Sequence, residues 1–232
     1  IESGSDSSLI YTNRGGEDSY FSGARRDLLA MIPANATRIL DVGCGAGRLG
    51  EALKQERARY VTGIELHPAS AAIAATLLDK VICASVTEAP LAEVGAPASF
   101  DCIIFGDILE HLLDPWETLR RYRTLLAPDG VVVASLPNIG HITVILGLLA
   151  GRWEYRDRGV LDQTHLRFFT YRSVQQLFEQ AGLEIVRRDA NYRLLDRSNL
   201  RYSRLARMLG KGPLRTFFAY QYVVVARSRQ MA

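Results

Sequence analysis

The run Arg38-Ile39-Leu40-Asp41-Val42-Gly43-Cys44-Gly45-Ala46-Gly47 limits what this chain can fold into more than any other stretch. A β-rich apolar segment stops at an acid, three glycines follow at alternate positions, and Arg48 to Arg57 then reads as a helix. Glycine has no Cβ, so a Gly-x-Gly-x-Gly turn reaches φ > 0 and lets a ligand lie against bare backbone. A helix starting straight after it points unpaired N–H groups and a positive dipole end at that ligand. Strand, glycine turn and helix in this order are the context that separates a nucleotide-binding loop from an ordinary tight turn.

The rest of the chain alternates around that turn. Strands are predicted at Arg38–Val42, Tyr60–Glu65, Lys80–Cys83, Phe100–Phe105, Val131–Ala134, Leu183–Arg188 and Phe217–Val225. Helices are predicted at Arg25–Ile32, Gly47–Gln55, Ala69–Leu78 (opened by Pro68), Trp116–Leu126 and Ser173–Gln180. The nearly unbroken apolar run at 100–105 is what a strand buried on both faces of a parallel sheet requires. The alternation predicts a doubly wound α/β sheet. The rhythm breaks after Ser135-Leu136-Pro137-Asn138, and long irregular segments of this kind are usually lids or substrate loops.

At 232 residues with 48% hydrophobic content, the chain can bury a full core without staples. Cys44, Cys83 and Cys102 have neither metal-ligand spacing nor an even framework, which argues for a reducing, cytoplasmic setting and against disulfides or zinc. Cys44 has no His or Lys nearby in sequence to lower its pKa and reads as a small filler in the turn. The opening eight residues are polar and low in complexity, so 1–16 is expected to be disordered. The longest apolar run, 142–150, is far short of the ~20 residues that span a bilayer. The net charge of +3 hides an asymmetry: residues 1–180 hold 17 basic and 22 acidic residues, and 181–232 hold 11 and 3. Part of that excess, Arg197, Arg201, Arg204 and Lys211, falls on one face of a helix predicted over 197–211, whose plainest account is a solvated face. With no interleaved aromatic platform, nucleic acid is not an expected partner.

In a doubly wound sheet the ligand sits outside the carboxyl ends of the strands. Asp41, the glycine turn, Glu65, Gly106-Asp107 and Leu136-Pro137-Asn138 all fall there. Glu65 ends the second strand, where two acceptor oxygens match the vicinal diol of a ribose. A dinucleotide fold wants Gly-x-Gly-x-x-Gly, but position 48 is Arg and the glycines run 43, 45, 47, which suits a ligand without a diphosphate.

Four segments in order, Leu40–Gly47, Gly63-Ile64-Glu65, Gly106-Asp107-Ile108-Leu109-Glu110-His111-Leu112-Leu113-Asp114-Pro115 and Leu126–Gly130, resemble a class I S-adenosylmethionine-dependent methyltransferase. The resemblance covers residues 38–136 and implies a Rossmann-like, mostly parallel seven-stranded sheet with its last strand antiparallel and helices on both faces. It also implies one catalytic domain over 17–232, with 137–170 as a substrate lid. By resemblance Asp41, Gly43, Gly45 and Gly47 hold the methionine end of S-adenosylmethionine (S-adenosylhomocysteine after transfer), with Cys44 in the same turn. Glu65, with Leu66 beside it, holds the ribose. Ser85 and Val86 lie against the adenine, Ser85 standing where families of this kind often place an acid. Gly106 and Asp107 lie beneath the sulfonium and the acceptor. A narrower resemblance, on Leu161–Thr170, is to a bacterial branch found with cell-surface polysaccharide machinery, and it implies a saccharide hydroxyl acceptor.

A hydroxyl must lose a proton as it is methylated, and a base poised near neutral pH is worth ~10²–10⁴-fold. His165, in the segment expected to cover the pocket and flanked by Asp162 and Arg167, is the first candidate, with His111 second and Asp107 beside them. No Asp/His cluster has metal-ligand spacing in the linear sequence, so the reaction is expected to be metal-free. The apolar run 142–149 is expected to form a lid helix packed on the core. The other readings of that run are a channel for a lipid-linked acceptor and a contact with a membrane surface. A phenol, quinone or amine acceptor, a homodimer, an NAD-dependent oxidoreductase and a non-catalytic cofactor-binding module are the remaining alternatives.

Overall fold

The computed structural model describes residues 25–193 and 215–229. The expected disorder of 1–16 and the basic helix at 197–211 lie outside the described residues. Seven strands form one sheet in the order β3-β2-β1-β4-β5-β7-β6: β1 (Arg38–Val42), β2 (Tyr60–Glu65), β3 (Lys80–Cys83), β4 (Phe100–Gly106), β5 (Leu126–Pro137), β6 (Leu183–Tyr192) and β7 (Ala219–Ser228). β1 to β5 are parallel, and β7 lies antiparallel between β5 and β6. The order reverses at β1, so the carboxyl ends of β1 and β4 open the crevice where ligands bind in such sheets.

Strands β1 and β4 are buried on both faces, and their side chains split by parity into two cores. Ile39, Val61, Cys102, Ile104 and Val133 face α1 (Arg26–Leu29), α2 (Arg48–Glu56) and α3 (Pro68–Ala74). Leu40, Ile64, Ile103, Phe105 and Val132 face α5 (Pro115–Arg123) and α7 (Tyr171–Gln180), with the short α4 (Leu91–Val94) at one side. This is the period-2 alternation of a strand with a helix layer on each side. Two further helices occur among the described residues, α6 (Ile142–Leu149) and α8 (Arg215–Phe218).

Some of the boundaries that differ from the predicted ones have clear local reasons. The predicted helix to Leu126 ends at Arg123, because Leu125 and Leu126 turn into the core and open β5. Pro128-Asp129-Gly130 is therefore inside β5, at a register shift, and a Cβ on Gly130 would stand 2.8 Å from the Phe100 carbonyl oxygen. The third predicted helix stops at Ala74 instead of Leu78. Leu78 instead fills the space above Gly63, where a Cβ would meet its Cδ1 at 2.8 Å and the Cys44 Sγ at 2.6 Å. Gly63→Ala should overpack this point by about 1–3 kcal/mol and lower Tm by roughly 5 °C, measured by thermal unfolding. Adding Cys44→Ala should recover part of the loss, and strict additivity would show that the sulfur is not the obstacle.

Candidate active site at the carboxyl edge of the sheet

The glycine turn has the conformation its sequence requires. Gly43, Gly45 and Gly47 have φ of +77°, +54° and +78°, and a Cβ on Gly43 would meet Ile108 Cδ1 at 3.0 Å. The Gly43 and Cys44 amides both donate to the Ile64 carbonyl at 2.9 Å, which pins the turn to β2. The Gly45 amide donates to Glu65 Oε2 at 2.9 Å, and the His67 amide donates to Oε1 at 2.8 Å. Glu65 and the turn are thus one unit, and each carboxylate oxygen still has a lone pair for another donor. The Cys44 thiol is buried, and that burial, with Asp41 and Glu65 nearby, pushes its pKa far up, as for an inert filler.

Asp41 ends up deeply buried, 3% exposed, next to Glu65. Burial first, and the Glu65 charge second, push its carboxyl up to about 7. Among the described residues no hydrogen bond reaches this carboxylate. A buried acid in that state has its best partner in a cation supplied from outside the protein. The open turn, the Glu65 oxygens and this carboxylate therefore fit a ligand with a diol and a cationic amino acid end.

Leu66 is exposed beside Glu65, and Ser85, in the turn after β3, is half-buried. Val86 is buried, and its carbonyl accepts from Tyr122 Oη at 2.8 Å, so α5 holds this turn from below. Ser85 Oγ shares a hydrogen bond with Thr87 Oγ1 at 2.8 Å.

Asp107, expected beside the reacting groups, is tied to several elements at the end of β4. It has φ of +54°, uncommon for a residue with a Cβ, and every strand near it holds it there. Ser135 Oγ on β5 donates to Oδ1 at 2.8 Å, Gln221 on β7 donates to the same oxygen, and Arg25 before α1 pairs with Oδ2. Arg25 also forks onto Asp27, which accepts from Asn191 on β6 at 2.8 Å. Asp107 is an anchor joining four elements. Arg25, Ser135 and Gln221 were missed by sequence reasoning, since nothing in the local pattern marks them.

Beyond Asp107, Leu109–His111 forms a single 3-10 turn. The Glu110 carbonyl accepts from the Leu166 and Arg167 amides at 2.8 and 2.9 Å, which brings the distant segment 160–168 over the turn. His111 and His165, 54 positions apart, come together with ring centroids 4.8 Å apart at 71°. His165 Nδ1 donates to the Val160 carbonyl at 3.1 Å, and His111 Nδ1 to the Thr164 carbonyl at 3.2 Å. A carbonyl only accepts, so both rings carry their proton on Nδ1 and leave an Nε2 lone pair. Burial lowers both pKa values, and for His165 the neighbouring His111 lowers it further. Both rings are neutral bases at pH 7.

Glu110 is 1% exposed, its Oε2 has no hydrogen-bond partner, and burial followed by the Asp107 charge raises its pKa well above the ordinary value. One ligand atom from each of Glu110, His111 and His165 lies within 4.8 Å of the others. This corrects the expectation that no residues have metal-ligand spacing. The linear distance hid the set, and two imidazoles with one carboxylate can hold a divalent cation. The only signal in the sequence was an acid beside a histidine just after a strand.

An aromatic series leads outward from the histidines: His165 to Phe168 at 6.3 Å, Phe168 to Trp153 at 5.5 Å, and Trp153 to Tyr155 at 6.3 Å between centroids, all edge-to-face.

The family model that matches the chain, over residues 17–188, is described as a methyltransferase domain. A ubiquinone biosynthesis O-methyltransferase from Cereibacter sphaeroides is 30% identical over 167 residues, 70% of this chain and 66% of the relative. One of the same description from Neisseria meningitidis serogroup C is 31% identical over 157 residues, 64% of each chain. The chain thus spans just under two thirds of the length of these relatives. A solved structure described as a SAM dependent methyltransferase from Archaeoglobus fulgidus superposes with a TM-score of 0.64 at 17% identity, covering 91% of this chain and 97% of that one, which shows a shared fold. The resemblance to a polysaccharide-associated branch finds no support in these relatives.

Proposed function

Because this chain belongs to the class I S-adenosylmethionine-dependent methyltransferases, we propose that it methylates a hydroxyl on a planar phenolic or quinol ring. The observation that carries the reading is the aromatic series Tyr155–Trp153–Phe168 ending on the paired neutral imidazoles of His165 and His111. Rings of this kind favour edge and offset contacts with a flat apolar acceptor, each worth about 0.5–1.5 kcal/mol beyond burial. The names of the relatives, ubiquinone biosynthesis O-methyltransferase, point the same way.

Bound S-adenosylmethionine supplies an activated methyl group on a sulfonium. In this reading Asp41 takes the cationic amino end, the glycine turn lies against the methionine chain, and Glu65 accepts from the ribose hydroxyls. Leu66, Ser85 and Val86 border the adenine. His165 Nε2 takes the acceptor's hydroxyl proton, which leaves the acceptor oxygen as the nucleophile toward the methyl group that the bound cofactor would supply. Burial first, and His111 beside it second, favour the neutral form of His165. Asp107 positions the floor of the site, and residues 137–170 act as its cover and exclude water.

A second reading has its own observation. Glu110, whose Oε2 has no hydrogen-bond partner, would with His111 and His165 bind a divalent cation that lowers the pKa of the acceptor oxygen. The deciding assay is methyl transfer to a short-chain catechol and to a hexose, with and without chelator. Transfer to the catechol alone supports the acceptor proposed here, and transfer to the hexose alone overturns it. Activity unaffected by chelation supports the histidine base. Activity lost and restored by added Mg²⁺ or Zn²⁺ supports the metal.

A further inference from the structure

The turn after β3 is gripped by a charged side chain that pairs with no acid among the described residues. Arg121, in the last turn of α5, donates through Nη1 to the Thr87 carbonyl at 2.6 Å and to the Val86 carbonyl at 3.3 Å. Its Nη2 donates to the Ala89 carbonyl. Tyr122, the next residue, is fully buried and donates from Oη to the same Val86 oxygen. Among the described residues, every hydrogen bond from 85–89 to another element comes from these two side chains. We propose that Arg121 is a positioning residue for the base of S-adenosylmethionine, holding the turn 85–89 in the form that receives the purine. This role presupposes the placement of the adenine against Ser85 and Val86 given above.

The geometry of the turn shows what the grip preserves. The Ser85 carbonyl accepts from the Glu88 amide at 3.0 Å and the Ala89 amide at 2.8 Å, so it points along the turn. Across a planar trans peptide the N–H points the opposite way, and the Val86 amide is therefore directed out of the turn's first residue. It makes no hydrogen bond among the described residues, although Val86 is only 6% exposed. Buried amides of this kind are rare and need an acceptor. The Ala84 amide donates to the Glu65 carbonyl at 3.0 Å, which sets the start of the turn close to the ribose acid. A purine beyond that ribose offers ring nitrogens with in-plane lone pairs. The turn's hydroxyls are already engaged with each other, Ser85 Oγ with Thr87 Oγ1 at 2.8 Å.

Arginine suits this task better than any other side chain. Its planar guanidinium presents donors in a fixed fork, whereas a lysine ammonium is a point charge on a flexible stem. Hydrogen bonds from a charged donor are roughly twice as strong as neutral ones, so carbonyls of three residues between 86 and 89 are held at one point. The base of the fork is rigid. Asp114 caps α5 by accepting from the Glu117 amide at 2.8 Å, and the Tyr122 ring packs edge-on to Phe105 of β4 at 5.8 Å. The turn is thus tied through α5 to the strand whose end carries Gly106 and Asp107.

The test is calorimetric binding of S-adenosylhomocysteine and of S-ribosylhomocysteine, which keeps the amino acid and ribose but has no base. Wild type should bind the first at least about tenfold more tightly. Arg121→Ala should lose about tenfold on S-adenosylhomocysteine and stay within about twofold of wild type on S-ribosylhomocysteine. Arg121→Lys should recover part of the loss. Should Arg121→Ala not fold, Tyr122→Phe, which removes a single hydroxyl, should show a smaller loss confined to the ligand with a base. Equal losses on both ligands, the mark of a merely structural side chain, would overturn the proposal, and so would no loss on either. Wild type that binds both ligands equally would remove the adenine placement together with Arg121's role. Preference for the base that neither variant changes would leave the placement standing and remove Arg121 alone. No acceptor is used, so failure of phenol methylation leaves the result unaffected.

Discussion

S-adenosylmethionine should bind about tenfold more weakly at pH 6 than at pH 8, and Asp41→Asn should abolish that difference. The Asp41 carboxyl sits at about 7 because it is buried beside Glu65. A cationic amino group binds its ionised form, so below pH 7 each binding event must first expel a proton. Removing one partner of a buried, hydrogen-bonded charge pair costs about 2–5 kcal/mol, so the variant should lose roughly 30- to 5000-fold in affinity at pH 8. Isothermal calorimetry in buffers of different ionisation enthalpy reads both the affinity and the proton released. The ligand-free stability should move the other way. The folded pKa lies above the unfolded value of 3.8, so the folded chain binds more protons between about pH 4 and 7, and its stability falls as pH rises through that window. Asp41→Asn should flatten this limb and match or exceed the wild-type Tm at pH 8. A variant that binds normally would remove Asp41 from the cofactor site.

What could be read in the sequence was local or periodic. The first three strands match their predicted bounds, the first two because apolar residues, an acid at or near the strand end and glycine punctuation coincide there. The left-handed Gly43-x-Gly45-x-Gly47 turn was legible because only glycine takes that backbone cheaply. The short 3-10 turn at 109–111 was not, since three residues have no period. Its consequences were larger than its length. Two backbone bonds to the Glu110 carbonyl carry residues 160–168 across the sheet edge and set His165 against His111. Pairing of this kind depends on loop closure, which leaves no trace in spacing. Asp107 shows the converse. Its position after β4 was legible, but the three side chains that tie it down come from α1's leading residue, β5 and β7. Helix α6 misled for a third reason. An apolar octet reads as core by composition, and only the packing around Val144 shows how little of it is covered.

His165→Ala should lower kcat on a simple phenol by about 10²–10⁴-fold while leaving cofactor affinity unchanged. The reason is geometric: the Val160 carbonyl fixes the Nδ1–H tautomer, and burial keeps the ring neutral, so Nε2 is ready to accept a proton at pH 7. Wild-type kcat should be level above pH 7 and fall with acid, with its midpoint below the ordinary histidine value of 6.5, because both histidine pKa values are lowered. A structural histidine would give neither that limb nor selectivity for the acceptor. The sharper readout is a phenol acidic enough to be ionised already at the assay pH. With no proton to remove, His165→Ala should recover most of its rate on this acceptor. His111→Ala should lose less on the simple phenol, since it acts through its neighbour, and should raise the acid limb as His165 is freed from a nearby positive charge. Glu110→Gln separates the two accounts of the site. If the histidines act alone, a carboxyl whose charged form is disfavoured by burial can become an amide with little change in rate. If a cation is held there, the same substitution removes a ligand, and the loss should persist on the ionised phenol and follow added metal.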